Sequence, residues 1–356
     1  MTTISLCMIV KNEEDVLKRC LESVQDITDE IIIVDTGSTD NTKKIAKEFT
    51  NKIYHFSWVD DFAKARNYSF SKATKDYILW LDADDVILPK DKEKFKEFKK
   101  TLDKNIDIVM MKYNCGFDSE GNPTLSYYRE RLIKNFKNYT WIGRIHEVIP
   151  PTGNVIYSDV SITHKKIHRN DPNRNLRIFE KMIKDNTPFD TRQKFYYARE
   201  VYYSGDYPKA IEKFNDFLNS DDKWVENTIS ALLDLSTCYH NIGDKEHEIQ
   251  TLFKSFEFST PRSQTCCYIG NFFLKENKID LAIYWYELAL TIKPDLKSGG
   301  FFEMDYYHFI PYIQLCVCYY KLGNIQKSIE YNELAGKIKP NNTLYLKNKE
   351  FFENFT

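Results

Sequence analysis

Apolar residues run almost unbroken through ISLCMIV (4–10), the signature of a strand buried on both faces. The next stretch, NEEDVLKRCLESV, spaces them at helical intervals instead. DEIIIVD (29–35) predicts a second buried strand, and TGSTDNTKKIAKEF a second helix, with Ser38, Thr39 and Asp40 as N-cap candidates after Gly37. KIYHFSW (52–58) predicts a short strand, DDFAKARNYSFSKA a helix, and DYILWLD (76–82) another buried strand. Strand, helix, strand, helix, strand implies a mostly parallel, right-handedly wound sheet with helices on its faces. Ligands of such sheets sit beyond the carboxyl ends of the strands, where Asp35 and Asp82 both stand.

Beyond about residue 170 the period changes to that of a helix throughout. Four segments superimpose: 195–218, 231–256, 266–294 and 313–340. Each is an aromatic-rich helix, a turn at Gly205, Gly243, Asn277 or Gly323, and a second helix. A post-turn position follows at Ala210, Glu248, Ala282 or Ser328. The intervals of 38, 34 and 46 residues between those positions bracket the repeat of about 34 residues typical of helix-turn-helix solenoids. The units resemble tetratricopeptide repeats, Glu248 departing from the small residue expected there; an ordinary helical bundle is the alternative. The domains expected are an α/β domain at 1–170, a linker helix region at 171–190 and helical repeats at 191–356.

Composition narrows the class. The 356 residues carry 50 basic and 52 acidic side chains, a net charge of −2, so no global electrostatic case for nucleic acid or an anionic membrane arises. Hydrophobic residues at 42% and charged ones at 29% describe a folded chain. The eight cysteines form no C-x-x-C pair and several lie in apolar periodic segments, as buried thiols of a reducing compartment do. The first residues lack a basic n-region, and no transmembrane segment is expected. A soluble, cytoplasmic protein is the expectation.

The chemistry concentrates in YILWLDADDVI (77–87), where an apolar strand runs into Asp82, Asp84 and Asp85. Like charges repel and raise one another's pKa, so such a cluster either caps a turn or faces something positive. A D-x-D after a buried strand suits a hard divalent cation that keeps positions open for a diphosphate. Asp35 is placed to accept hydrogen bonds from a base or ribose, since Ser38, Thr39 or Asp40 could cap the helix in its stead. Arg66 on the preceding helix could clamp the diphosphate or orient an aspartate, or be a solvated charge.

ISLCMIVKNEE, IIIVDTGSTDNT, WVDDFAKARNYS and YILWLDADD occur in this order and together resemble a family 2 glycosyltransferase of the inverting GT-A fold, over about the first half of the chain. No G-x-G-x-x-G follows the first strand, against a dinucleotide-binding domain. Nor does that turn carry the glycine-rich phosphate loop of a nucleotidyltransferase. The resemblance implies a nucleoside pocket lined by Val10, Glu13 and Asp35, with Asp82 near the ribose or metal and Asp84 on the metal. It implies Mn²⁺ or Mg²⁺ as cofactor, and Glu147, in YTWIGRIHEVI (139–149), as catalytic base, with His146 where the family usually has a second acid. His164 matches the late histidine that completes metal coordination, with His146 and His168 as competitors.

A family 2 domain followed by repeats further resembles bacterial enzymes that glycosylate peptides, including bacteriocin precursors. The resemblance implies a nucleotide-sugar donor, UDP-linked by preference, and a peptide or protein Cys, Ser or Thr side chain as acceptor. The alternatives are a cell-surface saccharide or lipid acceptor and a non-catalytic nucleotide-binding repeat scaffold. The repeats would serve as a peptide surface or as a homodimer interface.

Overall fold

The computed structural model describes residues 2–118, 120–167, 171–296 and 298–353. The chain divides into two compact units, one of residues 1–115 and 126–188, the other of 116–125 and 189–356.

The first unit is built on β1 (Ile4–Val10), α1 (Leu17–Val24), β2 (Glu30–Asp35), α2 (Thr42–Lys47), β3 (Ile53–His55), α3 (Phe62–Phe70), β4 (Tyr77–Trp80), β5 (Asp85–Val86), α4 (Pro89–Thr101), β6 (Ile108–Phe117), β7 (Pro123–Lys134), β8 (Val155–His164) and α5 (Arg174–Lys184). The strand order is β3-β2-β1-β4-β7-β6-β8-β5. β1 pairs in parallel with β2 and β4, β2 with β3, and β6 with β8; β4 with β7 and β5 with β8 run antiparallel. Alternation along the strands fills two cores. Ile4, Leu6, Met8 and Leu79 face Leu17, Leu21 and Phe95, while Cys7, Ile32, Ile78 and Trp80 face Ala63, Phe70 and Trp141.

The helices begin later than their periodicity suggests. Asn12 adopts φ 56°, and its carboxamide oxygen accepts the Thr39 N–H, while the Glu13 N–H donates to the Thr42 hydroxyl. These ties hold residues 12–14 outside α1. Gly37 at φ 108° likewise delays α2, a conformation glycine reaches without strain. α5, expected in a linker, groups with the first unit and buries Ile178, Phe179 and Met182.

The second unit runs α6 (Thr191–Tyr203), α7 (Tyr207–Leu218), α8 (Val225–Ile242), α9 (Lys245–Lys254), α10 (Ser263–Lys275), α11 (Ile279–Thr291), β9 (Phe302–Glu303), α12 (Phe309–Lys321), α13 (Ile325–Ile338) and α14 (Thr343–Glu353). The four expected turn residues, Gly205, Gly243, Asn277 and Gly323, all take positive φ. Each closes the first helix of a pair, with Asp244, Lys278 and Asn324 donating their N–H back to carbonyls five residues earlier. The post-turn side chains Ala210, Ala282 and Ser328 are fully buried. Glu248 is buried too, and its carboxylate meets His240 Nδ1 at 3.0 Å, which accounts for an acid at a seam position. The unit is therefore an array of tetratricopeptide-like helix pairs. No helix among the described residues is long and apolar enough to cross a membrane.

Candidate active site

Register brings the expected residues to one edge of the sheet. Val10 lies opposite Asp35, so β1 and β2 end level, and β4, paired to β1, releases Asp82 just beyond Trp80. Val10 contributes its carbonyl to Thr36, which donates both its N–H (2.9 Å) and its hydroxyl (3.2 Å). Glu13 is half-buried on the same rim. Asp35 is itself the cap of its turn, its carboxylate accepting the Gly37 and Ser38 N–H groups at 3.1–3.2 Å. The residues expected to spare it are engaged elsewhere. Ser38 accepts from the Asn12 N–H, and Asp40 accepts from Thr42 and Glu14. Asp35 thus offers a ligand its remaining lone pairs only.

Arg66 is buried and lies between two rings, 5.0 Å from the centroids of both Trp80 and Trp141. Its Nε donates to Glu147 Oε1 and its terminal NH2 to Asp82 Oδ1, each at 2.7 Å. One guanidinium therefore joins three segments far apart in sequence: α3, the end of β4 and the 139–150 loop. Burial opposes its charge, but Asp82 and Glu147 outweigh that and raise its pKa. Burial also works to raise Asp82, yet Arg66, with Arg131 and Arg129 behind it, holds that carboxyl down at about 2.

On the other side of Asp82 the β5–β8 pairing sets Asp85 opposite His164. His164 Nδ1 stands 3.4 Å from Asp84 Oδ1 and 3.3 Å from Asp85 Oδ1. Donor atoms of Asp84, Asp85 and His164 all lie within 4.8 Å of one another. That span matches a cation bracketed at roughly 2.0–2.6 Å from oxygen and nitrogen ligands. Burial raises the Asp84 pKa, His164 opposes the rise, and Asp82 and Asp85 add to it. Burial tends to lower His164, but Asp85 and Asp84 raise it overall. A hard divalent ion would relieve both, and this donor set fits Mn²⁺ or Mg²⁺.

Asp85 is the brace of this cluster. It is fully buried, and its Oδ2 accepts from Arg131 NH1 at 3.0 Å and from the Asp82 N–H at 3.1 Å. Among the competing histidines, His146 takes φ 50° and stacks its ring at 6.3 Å on Phe179, away from this cluster. His168 lies outside the described residues.

Arg131, Trp80 and Trp141 were not expected at the site from the sequence. The alternation of YYRERLIK offered a signal for Arg131, since residues two apart in a strand share a face, but hydropathy does not place an arginine indoors.

Residues 5–157 match the family described as Glycosyl transferase family 2. That match covers most of the first unit, and the tetratricopeptide-like helix pairs follow it. Two relatives share parts of this plan. A TPR repeat-containing protein of Synechococcus elongatus is 48% identical over 103 residues, 29% of this chain and 25% of the relative. The prophage-derived glycosyltransferase SunS of Bacillus subtilis is 29% identical over 251 residues, 66% of this chain and 58% of the relative. The chain thus spans between a quarter and about three-fifths of the length of these relatives.

Proposed function

We propose that this chain is an inverting glycosyltransferase that moves a sugar from a UDP-sugar to a Cys, Ser or Thr side chain of a peptide or protein. The observation that carries the reading is the Glu147–Arg66–Asp82 chain, 2.7 Å at each link, beside the Asp84–His164 pair at the carboxyl edge of the sheet. Val10, Glu13 and Asp35 are assigned to the nucleoside, and Asp82 and Arg66 to the donor's ribose and diphosphate side. Glu147 is assigned as base. It takes the acceptor proton as the acceptor sulfur or oxygen bonds to the anomeric carbon, while the bond from that carbon to the diphosphate oxygen breaks on the opposite face. Arg66 holds the Glu147 carboxylate in one orientation, which favours in-line attack. Asp84 and His164 would hold Mn²⁺ or Mg²⁺, which when bound neutralises charge on the departing nucleoside diphosphate. The repeats support a peptide acceptor, because stacked helix pairs present extended concave surfaces.

Release of UDP from a panel of UDP-sugars, with Mn²⁺ and a random peptide library, tests the reading. Wild type should glycosylate peptide. Glu147→Gln should lower turnover by about 10²–10⁴-fold with UDP affinity within about threefold. Asp84→Asn should lose the Mn²⁺ dependence of UDP binding. Binding of UDP without any turnover would leave a nucleotide-binding scaffold. Transfer confined to saccharide or lipid would overturn the acceptor assignment.

A further inference from the structure

The residue after Arg66 also reaches the 139–150 loop, by different chemistry. Asn67 Nδ2 donates to the Trp141 carbonyl at 2.9 Å, and Asn67 Oδ1 accepts the Trp141 N–H at 2.8 Å. One orientation of the carboxamide satisfies both bonds and the flipped one satisfies neither, so the clamp sets its own direction. The loop is otherwise closed by reciprocal bonds between Ile142 and Val148, at 3.0 and 3.1 Å, and tied to α3 where the Phe62 N–H meets the Arg144 carbonyl at 2.8 Å. Gly143 at φ 91° and His146 at φ 50° make the reversal between. Glu147 is the residue just inside this closure and Trp141 the residue just outside it. The indole of Trp141 is buried, its Nε1 has no hydrogen-bond partner among the described residues, and its ring packs on Trp80, Phe70 and Arg66. The backbone clamp is therefore the polar anchor of Trp141.

We propose that Asn67 is a positioning residue for the transfer step: by holding the Trp141 backbone it fixes the loop that presents Glu147 to Arg66 and the acceptor. The proposal rests on Glu147 being the base. It assigns successive residues of α3 two tasks on one loop, Arg66 gripping the reacting carboxylate and Asn67 the main chain that carries it. Without Asn67 the Trp141 N–H and carbonyl lose their partners in a part-buried place, and the loop gains alternatives.

Three variants test it: Asn67→Ala, Asn67→Asp, which can still accept from the Trp141 N–H but cannot donate, and Asn67→Ala in a Glu147→Gln background. Amide hydrogen exchange needs no activity, and it should speed up in Asn67→Ala across residues 141–149 while β1 and β4 stay protected. With UDP-glucose and Mn²⁺, Asn67→Ala should lower kcat by about 10–100-fold with the donor KM within about twofold, a loss of geometry rather than of binding. Asn67→Asp should fall between it and wild type, and the double variant should be no slower than Glu147→Gln alone. Should Asn67→Ala fail to fold, Asn67→Asp reports the same exchange and kcat. Unchanged exchange over 141–149 overturns the clamp, as does wild-type kcat in a variant whose loop exchanges faster. A parallel loss of UDP affinity and kcat overturns it too, because Asn67 would then support the whole site. If Glu147→Gln alone retains full turnover, it is the base assignment that fails, and the exchange result still decides whether the clamp exists.

Discussion

Replacing Arg131 with methionine isolates the buried charge pair behind the aspartate cluster. Arg131 and Asp85 are both shielded from solvent, with NH1 3.0 Å from Oδ2, and the guanidinium lies 3.8 Å from the centroid of Trp80 and 4.4 Å from that of Tyr113. At that separation and an effective dielectric of about 20, the attraction is roughly 5.5 kcal/mol, much of it offset by the desolvation of both ions. Methionine supplies similar apolar bulk, so the loss is chiefly electrostatic: the buried Asp85 carboxylate keeps only His164 and the Asp82 N–H beside it, at a cost of about 3–5 kcal/mol. For a unit of roughly 180 residues this lowers the melting midpoint by about 6–20 °C. Scanning calorimetry of the full chain measures it. Arg131→Met with Asp85→Leu should recover most of the loss, less about 1 kcal/mol for the Asp82 N–H that Asp85 accepts. A drop below about 2 °C in the single variant, or a double variant less stable than either single, would refute the reasoning.

Two further outcomes follow from other parts of the chain. Glu30 is buried, and although burial opposes its charge, Lys52, Ser5 and Thr74 together hold its pKa down to about 2. A carboxyl with a depressed folded pKa adds stability that is complete above its unfolded value near 4.5 and drains away as pH falls toward about 2. Glu30→Gln should therefore flatten the acid limb of the stability–pH curve in urea titrations; an unchanged limb would remove Glu30 as its source. In the repeats, Ala282 is fully buried at the seam of α10 and α11, so Ala282→Leu should destabilise the array by about 1–3 kcal/mol. Chemical denaturation that shows less than about 0.5 kcal/mol would mean the seam has room.

The elements legible in the sequence were those whose pattern answers to a single period. The runs at 4–10, 29–35 and 76–82 are buried on both faces, and β1, β2 and β4 stand there. The turn residues of the repeats were legible because a left-handed turn admits few side chains. Less was visible from residue 108 to 164, where β6, β7 and β8 mix charged and apolar residues on half-buried faces. Helices start later than their periodicity where side chains of one loop cap another, as Asn12 does for Thr39, a tertiary bond that no local propensity encodes. Of the candidate site, the sequence suggests residues but not their partnerships. Nothing in the sequence says that Arg66 serves both Asp82 and Glu147, or that Asp35 caps its own turn.

The repeats pair their helices through different polar contacts. In α8–α9 Glu248 meets His240, in α10–α11 the Tyr286 hydroxyl donates to Asn271 at 2.6 Å, and in α12–α13 the Ser328 hydroxyl donates to the Cys316 carbonyl at 2.7 Å. Modules of similar shape can trade partners while the chain folds, and an apolar seam would do little to forbid it. Here a second helix docked on the wrong first helix would seal an acid, a phenol or a hydroxyl away from its complement, at about 1–3 kcal/mol for each orphaned group. These contacts act as addresses, telling similarly shaped hairpins apart, so a consensus redesign that made every seam alanine would risk exchanging order for stability.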